Sequence, residues 1–93
     1  MRTLYSDNDI EYSIEEYKEF SGGFLHLKLN SFSLSIYKKM HTILDFLCKD
    51  LKKKGHNYVF CLIPKDKEKL AQYLGFSHTD ILIETYRIMK REL

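Results

Sequence analysis

The chain has 93 residues, of which 44% are apolar, four are glycine and one is proline; this is one small domain with enough apolar side chains for a modest core, neither disordered nor collagen-like. Its net charge of +2 hides an asymmetry: residues 1–22 carry six acids against Arg2 and Lys18, whereas residues 23–93 carry thirteen bases against seven acids. No apolar run approaches the roughly 18 residues that span a bilayer, and two cysteines are too few for a disulfide framework, which points to reduced thiols in a cytoplasmic setting.

The first residues, Met1 to Asp7, show no apolar signal region, so secretion is not expected. The acidic segment that they open is either an arm folded against the basic body, a face for a separate partner, or plain solvated surface. Within it, Asp9 to Glu15 alternates apolar and polar residues, the pattern of a half-buried strand. Ser13-Ile14-Glu15-Glu16 also has the form of a capping box for a short helix running to Phe20, and the reading adopted is a strand leading into a helical turn. Ser21-Gly22-Gly23 predicts a turn. From Phe24 to Leu29 the alternation resumes, with Leu25, Leu27 and Leu29 on one face and Phe24, His26 and Lys28 on the other.

Asn30-Ser31-Phe32-Ser33 is rich in helix-capping side chains. Beyond it Ile36, Met40, Ile43, Leu44, Leu47 and Leu51 recur at three- and four-residue spacing, which predicts an amphipathic helix of about twenty residues that ends in Lys52-Lys53-Lys54 and stops at Gly55. The run Tyr58 to Ile63 is continuously apolar and halted by Pro64, the signature of a central strand buried on both faces and parallel to its predecessor. Lys65 to Leu74 predicts a second helix ending at Gly75, and the remainder two strands, roughly 76–83 and 85–92, in a hairpin. The expected fold class is α/β (α+β): a mixed, mostly antiparallel sheet of four to six strands packed by two main helices, in a single domain over 1–93.

Leu70-Ala71-Gln72-Tyr73-Leu74-Gly75-Phe76, followed by the hairpin ending Tyr86-Arg87-Ile88-Met89-Lys90-Arg91-Glu92-Leu93, resembles the C-terminal end of GNAT-type N-acetyltransferases. In that superfamily a helix typically ends in Leu-Gly-Phe, and the last strand often carries a methionine before basic residues. The resemblance covers residues 23–93, with 1–22 as an acidic N-terminal segment. It is nearer to the small acetyltransferase-like proteins of tailed phages, and so implies a phage-encoded protein in the host cytoplasm.

The resemblance implies an acetyl-CoA site in which backbone N–H groups at a helix N-terminus hold the pyrophosphate. The family pattern there is Arg or Gln, two residues, Gly, one residue, then Gly or Ala; Asn30 to Ser35 contains none of these. If acetyl-CoA binds, Ser31, Ser33 and Ser35 are the residues placed to hold it. The family's general acid is a tyrosine four residues before the Gly of Gly-Phe, where Ala71 stands here, with Tyr73 about 200° further round the helix. The family's asparagine after the buried strand is replaced by Pro64-Lys65. His26 lies on the strand that can supply the base to the acceptor amine, and an imidazole titrates in the right range for that work; the alternative is an ordinary, partly exposed strand histidine.

The four histidines and two cysteines show no Cys-x-x-Cys or His-x-x-x-His spacing, so no metal site is expected. Cys48 and Cys61 sit on apolar faces and read as core residues, not nucleophiles. Lys38, Lys39, Lys49, Lys52, Lys53 and Lys54, with Lys65, Lys67 and Lys69 beyond, form a basic interaction surface for nucleic acid, an acidic protein or the 3′-phosphate of CoA, although Asp45, Asp50, Asp66 and Glu68 interrupt it. The aromatic content of 14% suggests exposed tyrosines of the kind found at interfaces. The favoured reading is a protein-binding protein on a degenerate acetyltransferase-like scaffold, without cofactor, acting by contact with a host or viral protein. A minimal acetyl-CoA-dependent N-acetyltransferase and a nucleic-acid-binding protein are the alternatives, and a homo-oligomer completing its sheet is compatible with each.

Overall fold

The computed structural model describes residues 1–17, 22–31 and 33–93. The elements in chain order are strands β1 (Arg2–Ser6), β2 (Ile10–Tyr17) and β3 (Gly22–Leu29), helix α1 (Leu34–Lys53), strand β4 (Tyr58–Pro64), a 3-10 turn at Lys65–Lys67, helix α2 (Glu68–Tyr73), and strands β5 (Ser77–Ile83) and β6 (Tyr86–Glu92). They form one six-stranded sheet in the order β1-β2-β3-β4-β6-β5. Only the β3–β4 pair is parallel. The mixed, mostly antiparallel sheet with two helices is therefore the expected architecture.

The sheet's residues divide cleanly between its faces. The register Ile10↔Leu29, Tyr12↔Leu27, Ile14↔Leu25 puts six apolar side chains on one face of β2 and β3, and Val59 of β4 with Met89 of β6 continues it. Met40, Leu44, Cys48 and Leu51 of α1 and Ala71 of α2 close over this face to form the core, joined by Leu74 and Phe76. The Tyr12 hydroxyl, fully buried, donates to the Met40 carbonyl at 3.0 Å, so α1 is held to β2 by a hydrogen bond as well as by packing. Both helices lie on the same face.

Local chemistry explains the helix limits. Ser33 is the N-cap of α1, its Oγ accepting from the Ile36 amide at 3.2 Å. Both helices stop where a glycine takes a left-handed conformation, Gly55 at φ +96° and Gly75 at φ +92°.

Five expectations are corrected. A strand precedes Asp9, because Arg2–Ser6 pairs antiparallel with β2 across the turn that Asp7 caps through the amides of Asp9 and Ile10. The capping box at Ser13 to Glu16 forms no helix: these residues are strand through Tyr17, since the burial of Ile10, Tyr12 and Ile14 on a two-residue period outweighs a local cap. The rest of that expected helix, residues 18–20, and Ser21 lie outside the described residues, as does Phe32. Gly22 and Gly23 begin β3 instead of making a turn, and a Cβ on Gly23 would stand 2.7 Å from the Glu15 carbonyl oxygen, so close pairing is what this strand position asks of glycine. Finally, β4 is buried on one face only; Val59 is fully buried but Leu62 is 45% exposed, because neither helix covers the other side of the sheet. The second helix is also shorter than its sequence suggests, its first turn being 3-10.

Candidate functional site

The parallel pairing of β3 with β4 lasts three residues, Gly22↔Tyr58, Gly23↔Val59 and Phe24↔Phe60, and then the strands part. The gap is a cleft of about 440 Å³ that runs between the sheet and α2. Its walls are apolar: Leu25, Leu27, Leu29 and Ile63 from the strands, and Leu70, Ala71 and Leu74 from α2 and its end. Phe24, His26 and Leu62 belong to the opposite face of the sheet yet also line it, so the cleft opens through the sheet. A second cavity of about 430 Å³ lies between the start of α1 and α2 and shares Lys67 and Leu70 with the first. Lys38, Lys67 and Lys69 line it with one acid, Asp66, and with Tyr37 and Tyr73, a net basic and aromatic wall against the apolar wall of the cleft.

His26 stands at the cleft's mouth on the uncovered face, its Nε2 3.0 Å from Glu15 Oε1. The other oxygen, Oε2, accepts from the Tyr17 hydroxyl at 3.1 Å, a bond that holds the phenol above its ordinary pKa. Tyr17, Glu15 and His26 thus form a chain of side chains across β2 and β3. The register Ser13↔His26 brings them together, and nothing in their sequence spacing announces it. An imidazole backed by a carboxylate and open to solvent on its other side can take a proton from an incoming group. Glu15 and Tyr17 are the members that sequence reasoning missed.

The other dissociable groups lining the cleft are differently placed. The Tyr12 hydroxyl is engaged with Met40, and burial pushes it well above the usual phenol range. Burial likewise pushes the Cys61 thiol up to about 12, so it is not a thiolate near neutrality. Cys48 is buried in the core and also raised, chiefly by burial. Ala71 lies in the cleft wall where the family pattern has its tyrosine, whereas Tyr73 faces the second cavity and packs on His41 with ring centroids 5.1 Å apart.

The serines named from the sequence do not gather at one point. Ser31 donates to Asp9 on the β1–β2 turn at 3.1 Å, while Ser33 and Ser35 share a hydroxyl contact of 3.0 Å beside the α1 N-cap. All three are exposed. The lysines are divided as well. Lys39 pairs with Asp7, Lys54 with Asp50 at 3.0 Å, and Lys38 lines the second cavity with Lys67 and Lys69. Lys49, Lys52 and Lys53 remain exposed along the second half of α1. No group of three or more metal-ligating side chains gathers among the described residues. Each histidine instead meets a carboxylate: His26 with Glu15, His41 with Asp45, His56 with Glu16, and His78 with Glu68.

No protein-family model and no curated protein sequence matches the chain significantly. Solved structures do. A domain from Methanocaldococcus jannaschii DSM 2661 superposes with a TM-score of 0.66 at 19% identity, over 98% of this chain and 63% of that one. A GNAT-family acetyltransferase from Streptococcus pneumoniae gives 0.63 at 11% identity, over 90% of this chain and 57% of that one. A chimera of the Vibrio cholerae spermidine N-acetyltransferase SpeG gives 0.59 at 11% identity, over 89% and 57%. The chain spans about three-fifths of the length of these structures. Order of strands, parallel β3–β4 pair and helix positions together make this a GNAT-like fold.

Proposed function

We propose that the chain binds an acyl-coenzyme A thioester in the β3–β4 cleft and passes the acyl group to an amine. The observation that carries this reading is the cleft itself, apolar along its length and joined to a basic, aromatic cavity at one end. A thioester ligand of this class has the same two halves, a thin uncharged arm and a phosphorylated nucleotide. Leu27, Leu29, Ile63 and Leu70 would line the arm, and Lys38, Lys67 and Lys69 would face the phosphates. The thioester supplies an activated carbonyl. His26 accepts the proton of the attacking amine, and Glu15 stabilises the imidazolium so formed. Ala71 stands where the family pattern has its tyrosine, and of the other described groups lining the cleft Tyr12 is engaged, Cys61 is too weakly acidic and Lys67 is assigned to the phosphates, so no hydroxyl or thiol among them serves the departing thiolate. Turnover should be slow, because a positioned acid typically contributes about 10²–10⁴-fold.

The first test is thermal. Acetyl-CoA at about a hundred times a micromolar Kd should stabilise the protein by roughly 2.7 kcal/mol, several degrees in a domain of this size. His26→Gln should keep that shift and lose about 10²-fold or more of the acetylation rate measured with small primary amines. No shift with the native chain removes the reading. In that case the open face of the sheet favours the second one, a scaffold that acts by protein contact, because Tyr17, Tyr58, Leu62 and Tyr86 are each more than a third exposed there.

A further inference from the structure

The mouth of the cleft has two unlike lips. On the face that neither helix covers, Phe24↔Phe60 is the last pair that β3 and β4 share. Two residues on, His26 of β3 and Leu62 of β4 stand on opposite sides of the gap, and both line the cleft. Past His26 the lip continues as Lys28 of β3 and Glu11 of β2, which are partners in register. Past Leu62 it continues as Ile88 of β6, and the next row reads Pro64, Tyr86 and Ile83 across β4, β6 and β5. The first lip is ionisable, whereas the residues of the second carry no charged group. Leu62 is 45% exposed, Ile83 50% and Tyr86 39%, so this apolar patch lies open to solvent and runs without a break into the cleft.

We infer that the acceptor is a primary amine carried on an uncharged, apolar body, whose nitrogen meets His26 while its body lies across Leu62, Ile88, Tyr86 and Ile83. The inference rests on the acyl-transfer reading and names the second substrate of that site. The thioester arm fills the cleft from the helix side, which leaves the open face to the acceptor. There the amine nitrogen bonds to the thioester carbonyl carbon and gives its proton to His26. The C–S bond breaks, and coenzyme A leaves with the electron pair on sulfur.

A polar head on an apolar body matches the two lips, and a polyamine does not. Its second ammonium would rest on the apolar lip and lose hydration there, and none of Leu62, Ile88, Tyr86 and Ile83 supplies a carboxylate in return. The base next to this lip, Lys90, lies one row before Leu62 and Ile88 with its ammonium 4.7 Å from the Tyr58 ring, so its charge also opposes a second cation. From β4 to β5 the lip crosses three strands at about 4.8 Å, a span of roughly 10 Å that suits chains from butyl to octyl.

Initial rates with acetyl-CoA and straight-chain amines from butylamine to octylamine test it, with cadaverine, a diamine close to hexylamine in length, as the control. These monoamines are nearly equal in basicity, so a trend among them reports contact. kcat/KM should rise about twofold per methylene, as half-burial of each group implies, and hexylamine should exceed cadaverine about tenfold or more. Leu62→Gln and Ile83→Gln should each cut the octylamine-to-butylamine ratio about threefold or more. Both positions are exposed, and the acetyl-CoA thermal shift of each variant reports that it is folded. A flat series, cadaverine used as well as hexylamine, or a rise that both variants leave intact overturns the inference, while the native chain's acetyl-CoA shift and turnover keep the acyl-transfer reading. Absence of that shift, or a shift without turnover of any amine, removes the reading and this inference with it.

Discussion

The hairpin joining β5 to β6 turns on two residues, Glu84 and Thr85, and Glu84 holds φ at +56°, the one described non-glycine residue with a positive value. A side chain pays for that conformation where glycine does not. Two-residue hairpins whose first central residue is left-handed ordinarily carry glycine there. Replacing Glu84 with glycine should therefore raise stability by a few tenths to about 1 kcal/mol, the strain relieved being partly offset by the greater entropy of glycine in the unfolded chain. Urea denaturation checks it; a midpoint that falls instead would mean that the Glu84 side chain stabilises the turn by more than its backbone costs. At this same scale the chemistry of the cleft is settled by single groups. Cys61 and Tyr12 line it but burial suppresses their ionisation, whereas His26 stands at its mouth paired with Glu15 and Lys67 lines it as well.

Between elements, carboxylates fasten the N-terminal hairpin and α1 to their neighbours. Asp7 caps the β1–β2 turn and pairs with Lys39 of α1, Glu16 of β2 meets Arg2 and His56, and Asp45 of α1 meets Arg91 of β6. All three carboxyls are held below their usual range, Asp7 first by Lys39, Glu16 first by Arg2 and Asp45 first by Arg91. A depressed folded-state pKa gives stability that is present above the unfolded value and lost as pH falls through the folded one. The melting temperature should thus hold from pH 7 to about 4, the ordinary range of free carboxyls, and fall below it. Asp7→Asn should lower it at pH 7 and flatten the acid limb; an unchanged limb would show that solvent screening leaves this exposed pair without effect. The described part of the acidic segment is thus a strand pair that extends the sheet. Its composition displayed the charges but not β1, whose Arg2 to Ser6 is too short and too exposed to show a pattern. Helix α1 was fully legible because cap, periodicity and glycine stop agree within one segment. The Tyr58 to Ile63 run misled about burial, since continuous apolarity does not tell a covered face from an uncovered one. In the cleft, His26 could be read from its strand, whereas Glu15 and Tyr17 depend on inter-strand register, which no local pattern encodes.

Among the described residues the molecule is two layers, both helices on one side of the sheet and none on the other, and β6 is where the layers are tied. Arg91 reaches from it to Asp45 of α1 at 2.6 Å and to the Leu74 carbonyl at the end of α2 at 2.7 Å. Arg87, four residues before, binds Glu68 of α2 at 2.6 Å and the Thr79 carbonyl of β5 at 2.9 Å. The Arg91 side chain is 18% exposed and bonded to both helical segments, so its loss strands a carboxylate and a carbonyl together. Arg91→Met keeps much of the apolar stem and removes the bonds, and it should cost about 2 kcal/mol, several degrees in melting temperature. The denaturant slope carries the further information. If the two layers unfold as one unit, the midpoint falls with the slope unchanged. A shallower slope would show that α2, only six residues long, comes away from the sheet before the rest. Because α2 supplies Leu70 and Ala71 to the cleft and Lys69 to the basic cavity, that outcome would also make occupancy of the cleft depend on Arg91, a residue that does not line it.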